Sequence, residues 1–174
     1  MEVVVKIADC RVGLVPGQVL VTYALGSCIG LAVHDPGAGV GGLLHFMLPD
    51  SGIDPARARD NPNTFADTGI PLLLAEVCKF GGSKQRLTAY AVGGAQMMDS
   101  ERFFEIGERN QSAARKILKK EGVLLTTEVV GGDLSRSLRL EVGSGRLWVQ
   151  EGSQYYEIGS ARPLKGAAPW RTGW

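Results

Sequence analysis

The chain has 174 residues, of which 44% are hydrophobic, and this is enough for one domain with a sizeable core. Its 19 basic and 18 acidic side chains nearly cancel, leaving a formal net charge of +1, so no broad field attracts nucleic acid or anionic lipid. No apolar run approaches the roughly 20 residues that cross a bilayer, and the N-terminus lacks the pattern of a signal peptide. We therefore expect a cytoplasmic protein with no nucleic-acid partner and no direct membrane insertion.

The cysteine content is consistent with that compartment. Three cysteines, with no CxxC pair, indicate neither a disulfide framework nor a zinc site, and free thiols suit a reducing environment. We expect no metal and no organic cofactor.

Glycine is unusually abundant, at 24 residues, about twice the usual share of roughly 7%. The glycines fall between short apolar runs, a pattern that predicts strands joined by tight turns. The predicted strands are Val3–Ile7, Gln18–Ala24, Cys28–His34, Gly42–Met47, Arg86–Val92, Leu124–Val130, Leu138–Val142 and Arg146–Val149. A hairpin turn is predicted between Val142 and Arg146.

Helical spacing of apolar residues predicts two main helices. The first runs from about Phe65 to Lys79, with a start near Thr68 as the alternative, because Pro71 is tolerated in a first turn. The second spans about Asn110–Glu121, followed by Gly122 as a cap.

These elements predict an α+β domain over residues 1–159. The remaining segment, 160–174, combines prolines, glycines and tryptophans without periodicity and is predicted to be a tail that docks loosely or is disordered.

A cysteine and both histidines of the chain lie within residues 21–49. A nucleophilic cysteine needs a base within hydrogen-bond reach, because the thiolate is the attacking species. If Cys28–His34 is one extended strand, its two ends are roughly 20 Å apart, which excludes His34 as the base.

His45 is the better candidate. If the Pro-Gly-Ala-Gly segment between Asp35 and Val40 is a turn, the register places His45 opposite Gly30. Cys28 is then a diagonal neighbour on the same face, within roughly 7–8 Å between backbone positions. The spacing thus predicts a Cys28–His45 pair.

Structural roles for the same residues stay open at this point. A cysteine beside glycine is commonly a small buried hydrophobe, as we interpret Cys10 and Cys78, and His45 is compatible with a satisfied core position. Cys28 differs because the turn Gly26-Ser27-Cys28 exposes backbone N–H groups beside the sulfur, which is what an oxyanion hole requires. We expect Gly26 and Ser27 to contribute to that site.

Several sequence blocks resemble the chemoreceptor glutamine deamidase family, CheD. They are Leu25-Gly-Ser-Cys28, Asp35-Pro36, His45-Phe-Met-Leu-Pro49, Gly93-Gly-Ala-Gln-Met-Met98, Ile106-Gly-Glu-Arg-Asn110 and Val130-Gly-Gly-Asp-Leu-Ser-Arg136. The blocks occur in the family's order, so the resemblance covers roughly residues 5 to 150.

The resemblance implies a catalytic triad of Cys28, His45 and Thr22. It also implies a sandwich of largely antiparallel strands with two main helices packed against it, similar to toxin-type glutamine deamidases. The implied substrates are cytoplasmic domains of chemotaxis receptors, whose glutamines would be converted to glutamate through a cysteine thioester, and the same chemistry would serve a receptor glutamyl methylesterase.

The resemblance further implies a partner, a CheC-type chemotaxis phosphatase. A non-catalytic role as a regulatory binding partner of that phosphatase is therefore the alternative function, and a thiol-redox role is a third, which lacks a resolving cysteine near Cys28.

Overall fold

The computed structural model describes residues 1–96 and 101–159, with the backbone alone for 101–104. The described part contains ten strands and three α-helices. The strands are β1 Glu2–Val4, β2 Asp9–Gly13, β3 Val19–Leu25, β4 Ile29–Asp35, β5 Val40–Phe46, β6 Thr88–Gly93, β7 Leu124–Val130, β8 Arg136–Glu141, β9 Leu147–Glu151 and β10 Gln154–Ile158. The helices are α1 Pro55–Asp60, α2 Ala66–Lys79 and α3 Glu101–Glu121.

The strands form two five-stranded sheets. The first sheet has the order β1-β3-β8-β9-β10 and the second has the order β2-β5-β4-β6-β7. Two pairings are parallel, β1 with β3 and β6 with β7, and the other six are antiparallel. The predicted α+β sandwich of largely antiparallel strands is confirmed.

The second sheet is buried on both faces. One face packs against the first sheet through a cluster that includes Leu25, Ala32, Leu43, Val92 and Leu138. The opposite face packs against α2 and α3 through residues such as Leu31, Leu44, Phe46, Ile70 and Leu118. Every residue of β4 and β5 is therefore buried, and any polar group on these strands must find a partner inside the protein.

All eight predicted strands exist, but two strands were missed. β2 is five residues long and includes Asp9 and Arg11, and β10 carries polar residues on an edge strand, so neither has the apolar run that predicts a strand. The first strand also ends at Val4 and not at Ile7, because the chain turns there to enter β2.

The first predicted helix is confirmed as α2, but its alternative start near Thr68 is wrong. The helix begins at Ala66, so Pro71 lies inside it. The Ala66 N–H donates to Leu48 O at 2.8 Å and the Gly69 N–H donates to Phe65 O at 2.8 Å, and these bonds anchor the first turn. The anchored start offsets the N–H that proline lacks.

The second helix begins earlier in the structure than the sequence predicts. α3 starts at Glu101 and ends at Glu121, with Gly122 at φ +71° as its cap, as predicted. Gly107 interrupts the pattern of helix-forming residues, but a side chain there would clash, since a Cβ would lie 2.8 Å from Gly94 O and 2.9 Å from Ala95 O. The glycine is needed for close packing of α3 against the loop after β6.

Within the described ranges, no helix has both the length and the apolarity needed to span a membrane. The predicted tail, 160–174, lies outside the described residues, and its order stays a prediction.

Candidate active site

The β4–β5 hairpin has the predicted register. Gly30 pairs with His45, Ile29 pairs with Phe46, and the turn lies between Asp35 and Val40. Side chains alternate along a strand, so Gly30 and His45 face the first sheet and Phe46 faces the helices. Cys28, just before β4, packs against the same inter-sheet cluster.

Gly30 makes room for the neighbouring sheet. A Cβ at this position would lie 2.9 Å from Leu25 Cδ1 and 3.2 Å from Thr22 Cγ2, both on β3. The absence of a side chain at Gly30 thus allows β3 to approach β5 across the sandwich, which brings Thr22 within reach of His45.

Thr22 and His45 are joined by a buried hydrogen bond. Thr22 Oγ1 lies 2.8 Å from His45 Nδ1 and 2.8 Å from the carbonyl oxygen of Val5. The carbonyl can only accept, so it takes the single hydroxyl proton, and Thr22 Oγ1 must accept from His45 Nδ1–H. The imidazole is therefore the tautomer with its proton on Nδ1 and a lone pair on Nε2.

His45 is fully buried, and burial lowers the pKa of its imidazole from 6.5 to about 4. It is therefore neutral at physiological pH. Among the described residues, Nε2 has no hydrogen-bond partner, and this includes the Cys28 thiol. A buried polar nitrogen without a partner is costly, and this makes the basic lone pair of Nε2 a candidate for a functional role.

Cys28 is half-buried, and burial raises the pKa of its thiol, partly opposed by a hydrogen bond from its own N–H. The resting pair at neutral pH is thus a thiol and a neutral imidazole. For this sulfur to act as a nucleophile, its proton would have to pass to His45 during attack, because a preformed thiolate–imidazolium pair is not stabilised here.

The turn before Cys28 is strained at its entrance. Ala24 has φ +56°, a conformation that non-glycine residues rarely adopt, and β3 carries a bulge between Thr22 and Leu25. The Gly26 N–H donates to Ala24 O at 3.0 Å. In this conformation the Gly26 N–H is used inside the turn, and its contribution to an oxyanion hole stays a prediction.

The backbone N–H groups of Ser27 and Cys28 remain candidates for donating to an oxyanion. In the described part of the chain, neither of their N–H groups donates to another backbone carbonyl. The Cys28 carbonyl accepts from the Gly94 N–H at 2.8 Å, and a Cβ on Gly93 would lie only 2.2 Å from the same oxygen, so the β6 loop fits closely behind the cysteine.

One buried polar residue at the site was missed as a functional candidate. Asn110 on α3 is fully buried, and its Nδ2 donates to Ser27 O at 3.0 Å and Met47 O at 2.8 Å. The block Ile106-Gly-Glu-Arg-Asn110 was visible in the sequence, but no spacing rule connects it to Cys28.

The other cysteines do not lie on the inter-sheet face that carries His45. Cys10 is on β2 opposite Leu44 and packs on the helix side of the second sheet, and burial together with the nearby charges of Asp9 and Glu76 raises the pKa of its thiol to about 12. Cys78 is half-buried on α2. Both positions agree with the structural interpretation of these residues.

His34 lies at the far end of β4, as predicted. Its Nε2 donates to the carbonyl oxygen of Val142 at 2.9 Å, so its polar edge is used inside the fold. Burial lowers the pKa of His34, and no contact joins it to the candidate site. Across residues 1–96 and 101–159, no group of three or more His, Cys, Asp and Glu side chains is arranged to hold a metal ion.

Comparisons with known proteins point to one protein family. A family model described as CheD chemotactic sensory transduction matches residues 47–151, a range that begins two residues after His45. A protein of Solibacter usitatus named probable chemoreceptor glutamine deamidase CheD is 59% identical over 95% of this chain and 98% of its own length.

Two further relatives bear the same family name. The protein of Syntrophus aciditrophicus is 46% identical over 86% of this chain and 93% of its own length. The protein of Anaeromyxobacter dehalogenans is 48% identical over 87% of this chain and 96% of its own length.

Proposed function

The chain belongs to the CheD family, and we propose that it is a cysteine-dependent glutamine deamidase of chemotaxis receptors. Cys28 is the nucleophile, His45 is the general base and acid, and Thr22 orients the imidazole. The names of the relatives support the substrate, and the geometry around His45 supports the chemistry.

One observation carries this proposal: the Val5–Thr22–His45 hydrogen-bond chain leaves a basic lone pair on Nε2. A histidine kept only for packing has no need of a fixed tautomer with one unpartnered buried nitrogen. A general base needs both, because it must be neutral, oriented and free to take a proton. In the proposed reaction the Cys28 thiol comes within hydrogen-bond reach of this nitrogen.

In the first half-reaction, the thiol proton passes to His45 Nε2 while the sulfur attacks Cδ of a receptor glutamine. The carbonyl electrons move to the oxygen, which the N–H groups of Ser27 and Cys28 stabilise. Collapse of this intermediate breaks the C–N bond, and the proton on His45 passes to the leaving nitrogen as ammonia is released. A glutamyl thioester on Cys28 remains.

In the second half-reaction, His45 takes a proton from water as the water oxygen attacks the thioester. The C–S bond breaks, the proton returns to the sulfur, and the glutamine has become glutamate. A receptor glutamyl methyl ester would enter the same sequence with methanol as its leaving group, so methylesterase activity is part of the proposal.

A purely regulatory binding module is disfavoured by the same observation, because docking a CheC-type phosphatase needs a surface and makes no demand on a buried histidine tautomer. Phosphatase binding and catalysis are compatible, and we propose both for a cytoplasmic protein.

The test is mass spectrometry of a purified receptor cytoplasmic fragment before and after incubation with the protein. Conversion of each glutamine to glutamate adds roughly one dalton and releases one ammonia. We expect the mass gain with the wild-type protein and none with Cys28→Ala.

The matched control is Cys10→Ala, which removes a thiol on the other face of the same sheet and should leave the mass gain intact. A mass gain that persists in Cys28→Ala, or no mass gain with wild-type protein that binds the fragment, would contradict the deamidase assignment.

A further inference from the structure

The turn that carries Cys28 is held from behind by three hydrogen bonds. Gly26 O accepts from the Ala95 N–H at 2.8 Å, Ser27 O accepts from Asn110 Nδ2 at 3.0 Å, and Cys28 O accepts from the Gly94 N–H at 2.8 Å. Only the middle bond comes from a side chain. The Asn110 bond is therefore the one that a substitution removes cleanly.

These bonds determine where the N–H groups point. In a planar trans peptide the carbonyl and the following N–H lie on opposite sides. Fixing Gly26 O therefore orients the Ser27 N–H, and fixing Ser27 O orients the Cys28 N–H. Both N–H groups point away from the elements that hold the carbonyls, as an oxyanion hole requires.

The second hydrogen bond of Asn110 reaches the other half of the site. Its Nδ2 also donates to Met47 O at 2.8 Å, two residues after His45 on the chain that leaves β5. One amide nitrogen thus joins the segment of the nucleophile to the segment of the base. The spacing between Cys28 and His45 is set by this bridge as well as by the hairpin register.

The orientation of the amide is unambiguous. Ser27 O and Met47 O can only accept, and Nδ2 has two protons to donate, so the opposite rotamer would leave two acceptors against Oδ1. Asn110 Oδ1 has no hydrogen-bond partner among the described residues. An aspartate of the same shape would place negative oxygens against both carbonyls.

Helix α3 is placed for this bridge by Gly107. The glycine lies against Gly94 O and Ala95 O, the backbone that also holds the Cys28 turn, and Asn110 follows three residues later on the same helix face. The close approach at Gly107 thus brings the Asn110 amide to both carbonyls.

We propose that Asn110 is the positioning residue of this active site, setting the direction of the Cys28 N–H and the distance from Cys28 to His45. It acts through the backbone of both segments and does not touch the substrate. The inference rests on the proposed function, in which Cys28 and His45 are the reacting pair.

The test compares Asn110→Leu with Gln111→Leu. Both variants replace an amide by an apolar side chain on α3, but Gln111 donates to one carbonyl, Gly94 O at 2.9 Å, and in the described part of the chain it has no hydrogen bond to Ser27 or Met47. The readouts are kcat and KM for ammonia release from a receptor cytoplasmic fragment, the rate of Cys28 alkylation by iodoacetamide, and Tm.

We expect Asn110→Leu to lower kcat roughly a hundredfold, the scale of a misplaced oxyanion donor, while KM changes by less than about threefold. Cys28 alkylation should slow at least about tenfold, because His45 no longer receives the thiol proton readily. Gln111→Leu should stay within about threefold of wild type in kcat, KM and the alkylation rate. A folded Asn110→Leu with wild-type kcat and alkylation rate would overturn the proposal.

Asn110→Asp separates positioning from simple stabilisation, also where Asn110→Leu does not fold. The ionised carboxylate donates no hydrogen bond, but the protonated acid donates one, so kcat relative to wild type at the same pH should rise on acidification from pH 8 to pH 5. A relative kcat that stays flat would refute the positioning role.

The alkylation assay needs no receptor and keeps the two hypotheses apart. If wild-type protein deamidates nothing, while Asn110→Leu still slows Cys28 alkylation, the proposed function fails and the positioning stands. If wild-type protein deamidates and Asn110→Leu does so equally fast, the positioning fails and the function stands.

Discussion

The two ends of the β4–β5 hairpin each bury a histidine and use it differently. At the turn end, His34 donates Nε2–H to the Val142 carbonyl, which ties the hairpin to the first sheet. At the open end, His45 is held by Thr22 through Nδ1, and its Nε2 has no partner among the described residues. Both histidines are therefore buried, and the unpartnered nitrogen distinguishes His45, which we propose as the general base.

The turn end also contains a buried charged group, the Asp35 carboxylate, that is extensively hydrogen-bonded. The Asp35 carboxylate accepts from the Arg86 guanidinium at 2.8 and 3.0 Å and from the N–H groups of Gly37, Ala38 and Ser83. Burial alone would raise its pKa, but these hydrogen bonds hold the pKa at about 2. Substitutions at the turn end should therefore cost stability, and substitutions at the open end should cost activity.

The largest contrast is expected between the two histidines. His45→Ala should lower kcat by roughly a hundredfold or more, the usual scale for a lost general base, with little change in Tm. His34→Ala should leave kcat nearly unchanged but reduce the free energy of unfolding by about 1–3 kcal/mol, since it leaves the Val142 carbonyl unpaired. Ammonia release and thermal melts of both variants measure this.

The comparison fails if the two variants exchange their effects. An inactive but stable His34→Ala would mean that the site has to be rebuilt around the other ring.

Thr22 tests whether the tautomer matters. Thr22→Val keeps the shape of the side chain but removes the oxygen that accepts from His45 Nδ1–H, so kcat should fall by roughly 10- to 100-fold. Thr22→Ser keeps the hydroxyl and should retain most of the activity. Equal activity of the valine and serine variants would show that the imidazole needs no orienting group.

The pH dependence of activity should reflect the burial of His45. Its pKa of about 4 keeps the base neutral far below the ordinary value of 6.5, so kcat/KM should stay near its plateau down to about pH 5. Initial rates of ammonia release between pH 4.5 and 8 at constant ionic strength measure this. An inflection near pH 6.5 would mean that the base is solvated in the free enzyme.

Acid should remove stability in two steps, and this is the smallest of the expected effects. Burial lowers the pKa of both histidines in the folded protein, so their contribution is complete above pH 6.5 and is lost as the pH falls below it, for His45 down to about 4. The contribution of Asp35 is complete above its ordinary pKa of 3.8 and is lost as the pH falls towards about 2.

Thermal melts at half-unit pH intervals resolve the two steps, and Asp35→Asn provides the control. This variant should abolish the lower step and leave the upper one in place. An upper step that disappears together with the lower one would show that the histidines are not its source.

The open end of the hairpin was largely predictable because its register is set locally. A four-residue turn between Asp35 and Val40 determines which residue faces Gly30, and side-chain alternation then gives the face of Cys28 and His45. Thr22 was named by family resemblance, and its contact with His45 crosses between the two sheets, which no local rule describes.

The remaining errors come from contacts between distant segments. The start of α3 was missed because Gly107 appears helix-breaking until its packing on Gly94 is known. β2 pairs only with β5 and has too little apolar character to be recognised alone. Each of these depends on tertiary packing that overrides local propensity.

The 83 residues between Ser27 and Asn110 also have a consequence for biosynthesis. A ribosome adds about 5–20 residues per second, so Cys28 emerges roughly 4–17 s before the amide that holds its turn. The pairing of β4 with β5 is local in sequence and can form early, whereas the bridge to α3 closes a long loop. The nascent chain therefore carries Cys28 and His45 before their spacing is fixed, and the enzyme becomes competent only after most of the chain has been made.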